Sequence, residues 1–466
     1  MHEENTLESN YDVIIIGAGL SGLCAAFSLE RHCPGLRVVL LERSNRLGGA
    51  VQTFREKGYQ AEWGPHGFLN NAEETRQILQ ETGLSAEMQT APLGDFHRFI
   101  CRQGRLVALP QSPQMLLTTP LLSPKGKLRL LGDLWKTPRP EDQTIGEWAA
   151  YRFGPEVLPM IDVAVTGTFA GDLNRLSIDA VMPGVRQMEK ETGSVLRGLK
   201  KKKKQAGKDH ARQTLPAMVN FPRGMERLTE ALGQNRQILY DCQVEELVKE
   251  GGEWRVTTSK GGLQATAVIM ALPVNPALNL LKKLAEPPLT TIPRARIANV
   301  VLAVHADKAE IPRGFGYLAP EVENRFSLGA MFTSYMFPGR CPDGQLMIEA
   351  LVGGRRHPER LALADGELID RTYADLGKLM KLPPAPCYAK VLRPEGEIPQ
   401  MEMGHPGLIR WRKQLEEGWP GLYICGFGWD GIGINDMAKA SARTAEALRD
   451  GRARDAGQAP VRPVYF

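Results

Sequence analysis

The first strongly patterned segment of the chain is an apolar run, followed by glycines and then by residues with helical periodicity. Residues 13–16 are β-branched and apolar, as in strands that are buried on both faces of a parallel sheet. Three glycines follow this run: Gly17, Gly19 and Gly22. Residues 20–31 predict a helix, residues 36–41 predict a second strand, and Glu42 stands at its end. The pattern predicts a β-α-β unit within an α/β fold.

The next segments predict short helices and a hairpin. Residues 71–85 predict a helix with Asn71 as its cap, and residues 96–109 predict a β-hairpin. Residues 110–140 alternate prolines with apolar groups, which indicates short amphipathic helices. Two interpretations of this segment stay open: a substrate mouth or membrane-facing platform, and a helical subdomain with its own core.

Two local signals follow in the chain. Thr144 predicts the start of a helix, because Glu147 stands three residues later, as in a capping box. Residues 200–204 are five consecutive lysines, and like charges repel. We expect an exposed mobile loop there, and attraction to anionic lipid is a second interpretation.

The second half of the chain is rich in strand-like runs. Strands are predicted over residues 238–240, 243–247, 254–258, 267–273, 298–304, 316–318 and 346–352. The runs within 295–353 indicate a sheet of their own. The chain then predicts a strand that enters a glycine turn at 421–426, a second turn at 431–434 and a helix through Leu448.

The spacing of the first glycines is typical of a dinucleotide-binding turn. The first glycine permits a tight turn, the second lets the backbone approach a pyrophosphate, and the third lets the helix pack on the strand. The N-terminus of the following helix favours negative charge. Glu42 stands where a carboxylate can accept hydrogen bonds from ribose hydroxyls. The turn at 431–434 can offer further backbone donors to the same cofactor.

Composition narrows the function classes. The chain has 466 residues, too many for a single core, so two or three subdomains are expected. An apolar content of 42% and a charged content of 24% are typical of globular proteins. The net charge of +5, from 58 basic and 53 acidic residues, is too small to indicate a nucleic-acid partner.

Cysteine usage and hydropathy add three expectations. The seven cysteines are scattered and form no C-x-x-C pair, which favours a reducing compartment without disulfides and predicts no metal site. Residues 1–10 are polar and are not expected to be a secretory signal. No unexplained apolar stretch of about 20 residues remains to span a bilayer, although the protein could lie on a membrane surface.

Two further motifs resemble those of the two-dinucleotide-binding flavoproteins. Residues 43–49 resemble the second glycine motif of that superfamily, which lies under the FAD pyrophosphate. Residues 64–67 follow where the superfamily brings its backbone against the flavin ring. The resemblance implies FAD as the cofactor.

Across nearly its whole length, the chain resembles the FAD-dependent, oxygen-linked protoporphyrinogen oxidase family of haem biosynthesis. The motifs that carry the resemblance, by their order and spacing, are GPHG at 64–67, FHRF at 96–99, GTFAGD at 167–172 with LSI at 176–178, FPRGM at 221–225, GFGYL at 314–318, IPQ at 398–400 with GH at 404–405, and the segment 425–436. The segment 390–397 departs from the pattern, because it lacks the aromatic residue that many relatives carry there.

The resemblance implies an α/β fold with a discontinuous Rossmann-like FAD-binding domain of the p-hydroxybenzoate hydroxylase and amine oxidase type. It also implies a mixed-sheet substrate domain and a helical, membrane-associated subdomain. The expected boundaries are 10–90, 215–290 and 390–450 for the FAD domain, 91–110 and 291–389 for the substrate domain, and 111–214 for the helical subdomain, with tails at 1–9 and 451–466.

The resemblance further implies a six-electron oxidation of protoporphyrinogen IX to protoporphyrin IX. FAD takes a hydride at N5 in each of three steps, O2 accepts it as H2O2, and no catalytic side chain is needed. The implied substrate-binding residues are Arg98, Gly167, Leu318, Met331, Phe332 and Leu351. The predicted cofactor-binding residues are Gly17, Ala18, Gly19, Leu20, Ser21, Gly22, Glu42, Arg43, Gly49, Ala50, Gly64, Pro65, His66, Gly67, Val244, Gly426, Gly431, Ile432 and Gly433.

Other functions on this fold remain open from the sequence. One is oxidation of coproporphyrinogen III to coproporphyrin III, for which four propionates would need a more cationic pocket than Arg98 and apolar walls provide. An amine oxidase or desaturase would present aromatic side chains beside the flavin, for which Trp429 is the visible candidate. A porphyrin-binding flavoprotein without activity is the non-enzymatic alternative. The partner expectations are porphyrinogen and O2, a peripheral membrane contact, a homodimer and hand-over to a neighbouring haem-pathway enzyme, in the cytoplasm.

Overall fold

The computed structural model describes residues 10–92, 97–111, 113–205 and 216–454. Several expectations therefore lie outside the described residues: the tail 1–9, most of the tail 451–466, Phe96 in the predicted hairpin, and the end of the segment 111–214. Over the described residues the chain forms two large sheets and a helical part.

The strands, in chain order, are β1 Asn10–Ile16, β2 Val38–Leu41, β3 Thr53–Glu56, β4 Tyr59–Glu62, β5 Phe68–Leu69, β6 Gln89–Pro92, β7 His97–Arg102, β8 Arg105–Ala108, β9 Ala217–Asn220, β10 Ile238–Leu239, β11 Val244–Glu250, β12 Glu253–Thr258, β13 Gly261–Met270, β14 Arg294–Ala295, β15 Ile297–His305, β16 Gly314–Leu318, β17 Gly329–Met331, β18 Gln345–Gly353, β19 Tyr388–Leu392, β20 Ile398–Pro399 and β21 Leu422–Ile424.

The α-helices are α1 Leu20–His32, α2 Glu73–Glu81, α3 Pro113–Thr118, α4 Pro124–Leu130, α5 Ile145–Phe153, α6 Leu158–Phe169, α7 Ile178–Val181, α8 Pro183–Thr192, α9 Val195–Gln205, α10 Glu226–Gly233, α11 Val274–Leu281, α12 Thr333–Met336, α13 Asp365–Gly377, α14 His405–Gly418 and α15 Ile434–Arg449. Short 3₁₀ segments lie at Leu84–Ala86, Leu131–Trp135, Pro155–Val157, Ala306–Lys308, Glu321–Glu323 and Pro358–Ala362.

The first sheet contains the N-terminal β-α-β unit. Its strand order is β10-β2-β1-β13-β12-β11, and β21 also pairs with β13. The central pairs are parallel, so that Ile16 stands opposite both Leu41 and Met270, and Met270 stands opposite Ile424. The carboxyl ends of four strands therefore meet at one edge of the sheet, where ligands bind in open α/β folds. Because β1 is apolar and buried on both faces, helices cover the sheet on either side.

The second sheet is mixed and has the order β19-β15-β18-β17-β16-β7-β8. Helix α13 packs on one face, where Leu368 and Leu376 join a core with Val300, Leu302 and Ala350. The strand β19 belongs to this sheet, so the sheet runs past the boundary expected at residue 390. The predicted hairpin is present as β7 and β8 over its described residues.

The helical part spans α3 to α9 and has its own apolar core, which includes Ile145, Trp148, Val163 and Phe169. The capping box at Thr144 and Glu147 is present at the start of α5, as predicted. None of the helices within the described residues is both long enough and apolar enough to cross a bilayer.

Two local predictions are wrong. Residues 200–204 lie in α9 and not in a loop. Ser194 caps this helix through the backbone of Arg197, and Leu196 N–H donates to Asp133 Oδ2 at 2.9 Å. Lysine has a high helix propensity, and its charges repel only weakly when the side chains are exposed, as they are here.

The cap of α2 also differs from the prediction. Ala72 occupies the N-cap position and the helix ends at Glu81. The side chain of Asn71 is engaged elsewhere, because its Oδ1 accepts a hydrogen bond from Asn435 Nδ2 at 2.9 Å. The turn residue therefore joins α2 to the start of α15 instead of capping its own helix.

Candidate functional site

A glycine turn connects β1 to α1 at the carboxyl edge of the first sheet. Gly17 has a φ of +102°, which suits glycine and strains other residues. A Cβ at Gly22 would stand 1.9 Å from the carbonyl oxygen of Gly17, so the third glycine is needed for α1 to approach the strand. No described side chain caps α1, and its first turn carries no acidic residue. The first backbone N–H groups of α1, which include those of Leu20 and Ser21, are thus left to an anionic ligand.

A second glycine turn lies directly against the first. The N–H of Gly48 donates to the carbonyl oxygen of Ala18 at 2.9 Å. A Cβ at Gly49 would lie 3.3 Å from Gly19 Cα, so the two turns meet backbone to backbone. Such a cradle suits a pyrophosphate, which needs close approach of amides and has no room for side chains.

Glu42 stands beside these turns, as predicted. Its Oε2 accepts the N–H of Ala18 at 3.0 Å, and its Oε1 accepts both the N–H and the hydroxyl of Ser44. These bonds fix the buried carboxylate with lone pairs still available for ribose hydroxyls. Arg43 follows it and is exposed. The backbone that leads into Val244 also passes here, because Cys242 N–H donates to the Glu42 carbonyl at 2.8 Å.

The C-terminal turn completes the same edge. A Cβ at Gly426 would stand 1.7 Å from the carbonyl oxygen of Leu272, so this strand end packs tightly on β13. Gly431 has a φ of +134°, and Gly433 precedes α15 as its N-cap. Ile432 lies between them and packs partly against the helical core. The turn therefore brings backbone amides and a helix N-terminus towards the cleft described next.

The segment 64–67 joins the nucleotide edge to the second sheet. A Cβ at Gly64 would stand 2.1 Å from the carbonyl oxygen of Ala50, next to the second glycine turn. Pro65 follows, and His66 Nε2 lies 2.9 Å from Glu349 Oε2 in β18. A Cβ at Gly67 would stand 2.7 Å from the carbonyl oxygen of Val219. The segment 64–67 is thus packed against the second glycine turn on one side and against β9 and β18 on the other.

One face of the second sheet carries most of the predicted substrate residues. Residues that pair directly across neighbouring strands point to the same face. Gly316 pairs with both Arg98 and Met331, and Met331 pairs with Glu349. Leu318 and Leu351, two residues further along their strands, point to this face as well. We call this side, opposite α13, the cleft face.

The predicted residues on the cleft face are half-buried, and Leu318, Met331 and Leu351 each pack partly against an apolar cluster. Gly167 in α6 is exposed and adjoins the cleft face, because a Cβ there would stand 2.7 Å from Leu318 Cδ1. Phe332 is not brought to this face. It is 1% exposed and packs in the core on the α13 side. The alternation of side chains along a strand sends Met331 and Phe332 to opposite faces.

Arg98 stands on the cleft face in β7, and Lys390 stands on the same face at the other side of the sheet, in β19. The Arg98 guanidinium lies 4.8 Å from the ring centroid of Phe315, a favourable cation–π arrangement. Burial lowers the pKa of Arg98 to about 10, so it stays charged at neutral pH. A partly buried guanidinium on an apolar face suits a carboxylate fork.

Several polar residues at this junction were not predicted from the sequence. Glu349 is a lone charge within an apolar strand, and Asn299 Nδ2 donates to it at 2.6 Å. A single glutamate within an apolar strand indicates that polar partners lie nearby, because a buried charge needs such partners. Gly396 was also missed: a Cβ there would stand 3.3 Å from Ala50 Cβ, in the segment that lacks the expected aromatic residue.

No group of three or more metal-ligating side chains occurs among the described residues. The parts fit FAD instead. The facing glycine turns would hold its pyrophosphate, Glu42 would hold its ribose, and the turns at 64–67 and 431–433 lie where its ring end would reach the cleft face. This geometry defines the class of the protein as a dinucleotide-binding flavoprotein.

Comparison with known proteins identifies the family. Residues 20–448 match the flavin containing amine oxidoreductase family, so the chain belongs to it, and its cofactor is FAD. The chain is 27% identical to coproporphyrinogen III oxidase of Bacillus subtilis (strain 168) over 94% of this chain and 97% of that protein. It is 26% identical to protoporphyrinogen oxidase 1, chloroplastic, of Arabidopsis thaliana, over 93% of this chain and 87% of that one.

A solved structure from Exiguobacterium sp. 255-15, provisionally assigned as a protoporphyrinogen oxidase, has the same fold. It superposes with a TM-score of 0.77 at 22% identity and covers 96% of this chain and 99% of that chain. The predicted α/β fold of the flavin amine oxidase type is thereby confirmed. The protein is a flavin-dependent oxidoreductase with porphyrinogen oxidases among its relatives.

Proposed function

We propose that this protein oxidises a porphyrinogen to the porphyrin, with protoporphyrinogen IX as the preferred substrate and O2 as the acceptor that yields H2O2. The observation that supports this most is the Arg98 guanidinium on the same face of the second sheet as three apolar side chains, those of Leu318, Met331 and Leu351. A protoporphyrinogen is a large apolar macrocycle with two propionates. It needs an apolar wall and few cations.

The residues of this chain bind the porphyrinogen and orient it. Arg98 holds a propionate, while Leu318, Met331 and Leu351 contact the macrocycle and exclude water. Gly167 lets the Leu318 side chain lie directly against α6, since a Cβ at this position would stand 2.7 Å from Leu318 Cδ1. FAD, when bound, supplies the two-electron acceptor for each step. Because the cofactor carries the redox chemistry, the protein's contribution is a fixed pose and a dry surface.

Coproporphyrinogen III is the second candidate substrate. It is favoured by the names of two relatives, the coproporphyrinogen III oxidases of Bacillus subtilis and Staphylococcus aureus. Its four propionates would need more cations than Arg98. Two other arginines, Arg355 and Arg356, pair with the carboxylates of Glu402 and Asp162. This supports the dicarboxylate substrate.

An amine oxidase function is less well supported. Trp429, the aromatic residue that the sequence offered for this role, is 2% exposed and packs in a core with Val274 and Leu408. It therefore belongs to the packing of the first sheet, and it is poorly placed to flank an amine at the cofactor ring.

The direct experiment is an aerobic assay with both porphyrinogens at matched concentrations. Porphyrin fluorescence and peroxide should rise together, and kcat/KM should be higher for protoporphyrinogen IX. A higher kcat/KM for coproporphyrinogen III would reassign the substrate within the same reaction. Formation of neither porphyrin by FAD-loaded protein would overturn the proposed activity.

We also propose that the protein contacts anionic lipid through its helical part. Four large apolar side chains are exposed there: Leu128 (70%), Leu131 (47%), Trp135 (77%) and Leu199 (47%). The lysines of α9 stand beside them, because Arg197 Nη2 donates to the Leu134 carbonyl at 2.7 Å. Together these residues and Lys200–Lys204 form what we call the basic apolar patch. Apolar anchors flanked by cations suit an anionic bilayer surface.

A further inference from the structure

A buried polar cluster joins the segment 64–67 to the second sheet. Glu349 is 1% exposed at its side chain, and both of its oxygens are bonded. Oε1 accepts the hydroxyl of Thr333 at 2.9 Å, and Oε2 accepts Asn299 Nδ2 at 2.6 Å. His66 Nε2 lies 2.9 Å from Oε2. Since a carboxylate only accepts, Nε2 of His66 carries a hydrogen.

The backbone of His66 is held from the other side. Asn220 Nδ2 donates to the His66 carbonyl oxygen at 2.9 Å and also to Glu62 Oε1 at 3.1 Å. Asn220 belongs to β9, whereas Glu349 belongs to β18 of the second sheet. His66 is thus the residue through which a turn next to the nucleotide edge is tied to the substrate face.

The other charged groups around His66 are Glu62 and Arg340. Arg340 Nη1 lies 3.8 Å from Glu62 Oε1, and its Nη2 donates to the Phe221 carbonyl at 3.0 Å. These two groups form a second pair, so Glu349 is the carboxylate in direct contact with the imidazole. A small cavity lies between the two pairs, with Met331 in its wall.

Burial opposes a charge on His66, but Glu349 outweighs it and raises the pKa of His66 above its ordinary value. Burial likewise opposes a charge on Glu349, and His66 with the two neutral donors keeps the pKa of Glu349 below its ordinary value. Both shifts favour the charged form of the group, in agreement with the 2.9 Å contact between His66 Nε2 and Glu349 Oε2. A buried ion pair contributes little to net stability compared with apolar packing. This points to a role other than stability.

The position of His66 suggests that role. Its side chain is still 14% exposed. The backbone path from Gly19 through Gly49 and Ala50 to Gly64 is continuous by contact. His66 therefore stands where the cofactor site opens on the cleft face, and Met331 lies beside it.

We propose that His66 is a positioning residue for the flavin: Glu349 holds its imidazolium, which fixes the segment 64–67 and makes reduction of the bound FAD more favourable. Two-electron reduction with uptake of one proton converts FAD to FADH⁻, which carries one negative charge more on its ring. A fixed cation nearby stabilises that product. This proposal about His66 depends on the FAD site and not on the identity of the porphyrinogen. Its test can therefore succeed or fail independently of the proposed substrate.

The test is the reduction potential of FAD in the purified holoprotein, measured by equilibration with a dye of known potential. The variants are His66→Gln and Glu349→Gln. Each should make reduction at least tenfold less favourable, which is about 30 mV for a two-electron couple. The control is Asp375→Asn. Asp375 is also a buried carboxylate of the substrate half, but it bonds Ser327 and Arg325 on the α13 side of the sheet.

The control should lower stability and leave the potential unchanged. Unchanged potentials in both test variants with full flavin content would contradict the proposal, and so would an equal shift in Asp375→Asn. In Glu349→Gln, His66 loses the partner that keeps it charged, so the potential should also gain a pH dependence between about pH 5 and 8.

If the variants do not fold, the proposal can still be tested by a measurement on the unaltered holoprotein. Nitrogen-15 NMR of its histidines should show one imidazole that stays doubly protonated after the exposed histidines have lost their protons. If every imidazole is neutral at that pH, the charged pair does not exist and the proposal is wrong.

Discussion

At the residue scale, the cofactor site depends on glycines that leave no room for a methyl group. Gly22 is the clearest case, because its added Cβ would stand 1.9 Å from a backbone oxygen that cannot move without shifting β1. The contact between Gly19 and Gly49 is looser, since a Cβ added at Gly19 would stand 3.9 Å from Gly49 Cα, and we propose that these two glycines let a pyrophosphate approach the backbone.

We predict that Gly22→Ala lowers both the FAD content and the melting temperature of the purified protein, since α1 must move away from β1. The matched control is Gly366→Ala in α13, where an added Cβ meets nothing within 4 Å. Alanine there should be neutral or stabilising by about 0.5–1 kcal/mol. Flavin absorbance per protein and thermal denaturation measure both effects. Full flavin content in Gly22→Ala would contradict the predicted close packing.

For Arg98→Ala we predict a KM for the porphyrinogen that is roughly ten to a hundred times higher, with a smaller effect on kcat. A hydrogen bond to a charged group is worth about 1.5–3 kcal/mol, and a propionate contact serves ground and transition states alike. Arg105→Ala, an exposed change on the same hairpin, is the control. Steady-state kinetics with varied porphyrinogen measure the split. A large loss of kcat at unchanged KM would argue against a propionate role.

The sequence predicted these residues unequally well. Gly17, Gly22 and Glu42 follow from a local motif whose spacing has one physical explanation. Glu349 and Asn299 do not, because their partners come from distant strands and only the fold brings them to His66. The predicted wall residue Phe332 lies on the far side of the sheet for a related reason: its strand neighbour Met331 takes the cleft face.

At the scale of elements, strands were predicted well where apolar runs were continuous, as in β18. The strand predicted at 267–273 is β13, which begins six residues earlier and ends three residues earlier, at Met270. Helix α9 was not predicted, because a run of lysines carries no apolar periodicity and its stability comes from contacts at its start. Asp133 is one of those contacts, and it is itself part of a buried network.

That network centres on Glu189 in α8, which accepts bonds from Trp148 Nε1 at 2.9 Å and Arg186 Nη1 at 2.7 Å and also pairs with Arg152. We predict that Glu189→Ala costs about 3 kcal/mol or more in unfolding free energy, because it leaves buried guanidinium groups short of an acceptor. Glu191→Ala, exposed on the same helix, should stay within about 0.5 kcal/mol. Denaturant unfolding measures the free energy of unfolding of both variants. Equal losses in the two variants would mean that the buried hydrogen bonds of Glu189 do not stabilise the protein.

Glu189 also makes the stability of the protein sensitive to acid. Burial opposes its charge, yet the bonds from Arg186, Trp148 and Arg152 keep the pKa of Glu189 below its ordinary value. Its contribution is therefore present above the ordinary glutamate range and is lost as pH falls through the lowered pKa. In Glu189→Ala that part of the acid sensitivity should be absent.

At the scale of the whole molecule, the segment 64–67 joins the two sheets, and the helical part adjoins the cleft face where Gly167 meets Leu318. The first sheet presents backbone hydrogen-bond donors to the cofactor site. The second sheet presents the cleft face, which carries Arg98. The helical part carries the basic apolar patch on its surface. The family and fold were predictable from the order of the motifs. The substrate was not, because it depends on how many cations the assembled cleft leaves available.

We predict that the protein binds vesicles that contain anionic lipid, that salt weakens the binding, and that neutral vesicles bind less. Each lysine near such a surface contributes about 1 kcal/mol. Trp135→Ala, which removes a side chain that is 77% exposed, should reduce binding and leave flavin content unchanged. Vesicle flotation measures this, with Val322→Ala as the control at an exposed apolar position outside the patch. Equal binding to neutral and anionic vesicles would contradict the role of the lysines.

The central claim is that a porphyrinogen on the cleft face passes its electrons directly to the FAD of this chain. The most direct measurement is rapid mixing of oxidised holoprotein with protoporphyrinogen IX without oxygen, followed by flavin absorbance. We predict that the visible flavin band bleaches on mixing, and that it bleaches more slowly in Arg98→Ala at low substrate concentration. The band should return, with formation of peroxide, when air is admitted. A flavin band that stays unchanged, with either porphyrinogen, would contradict the central claim.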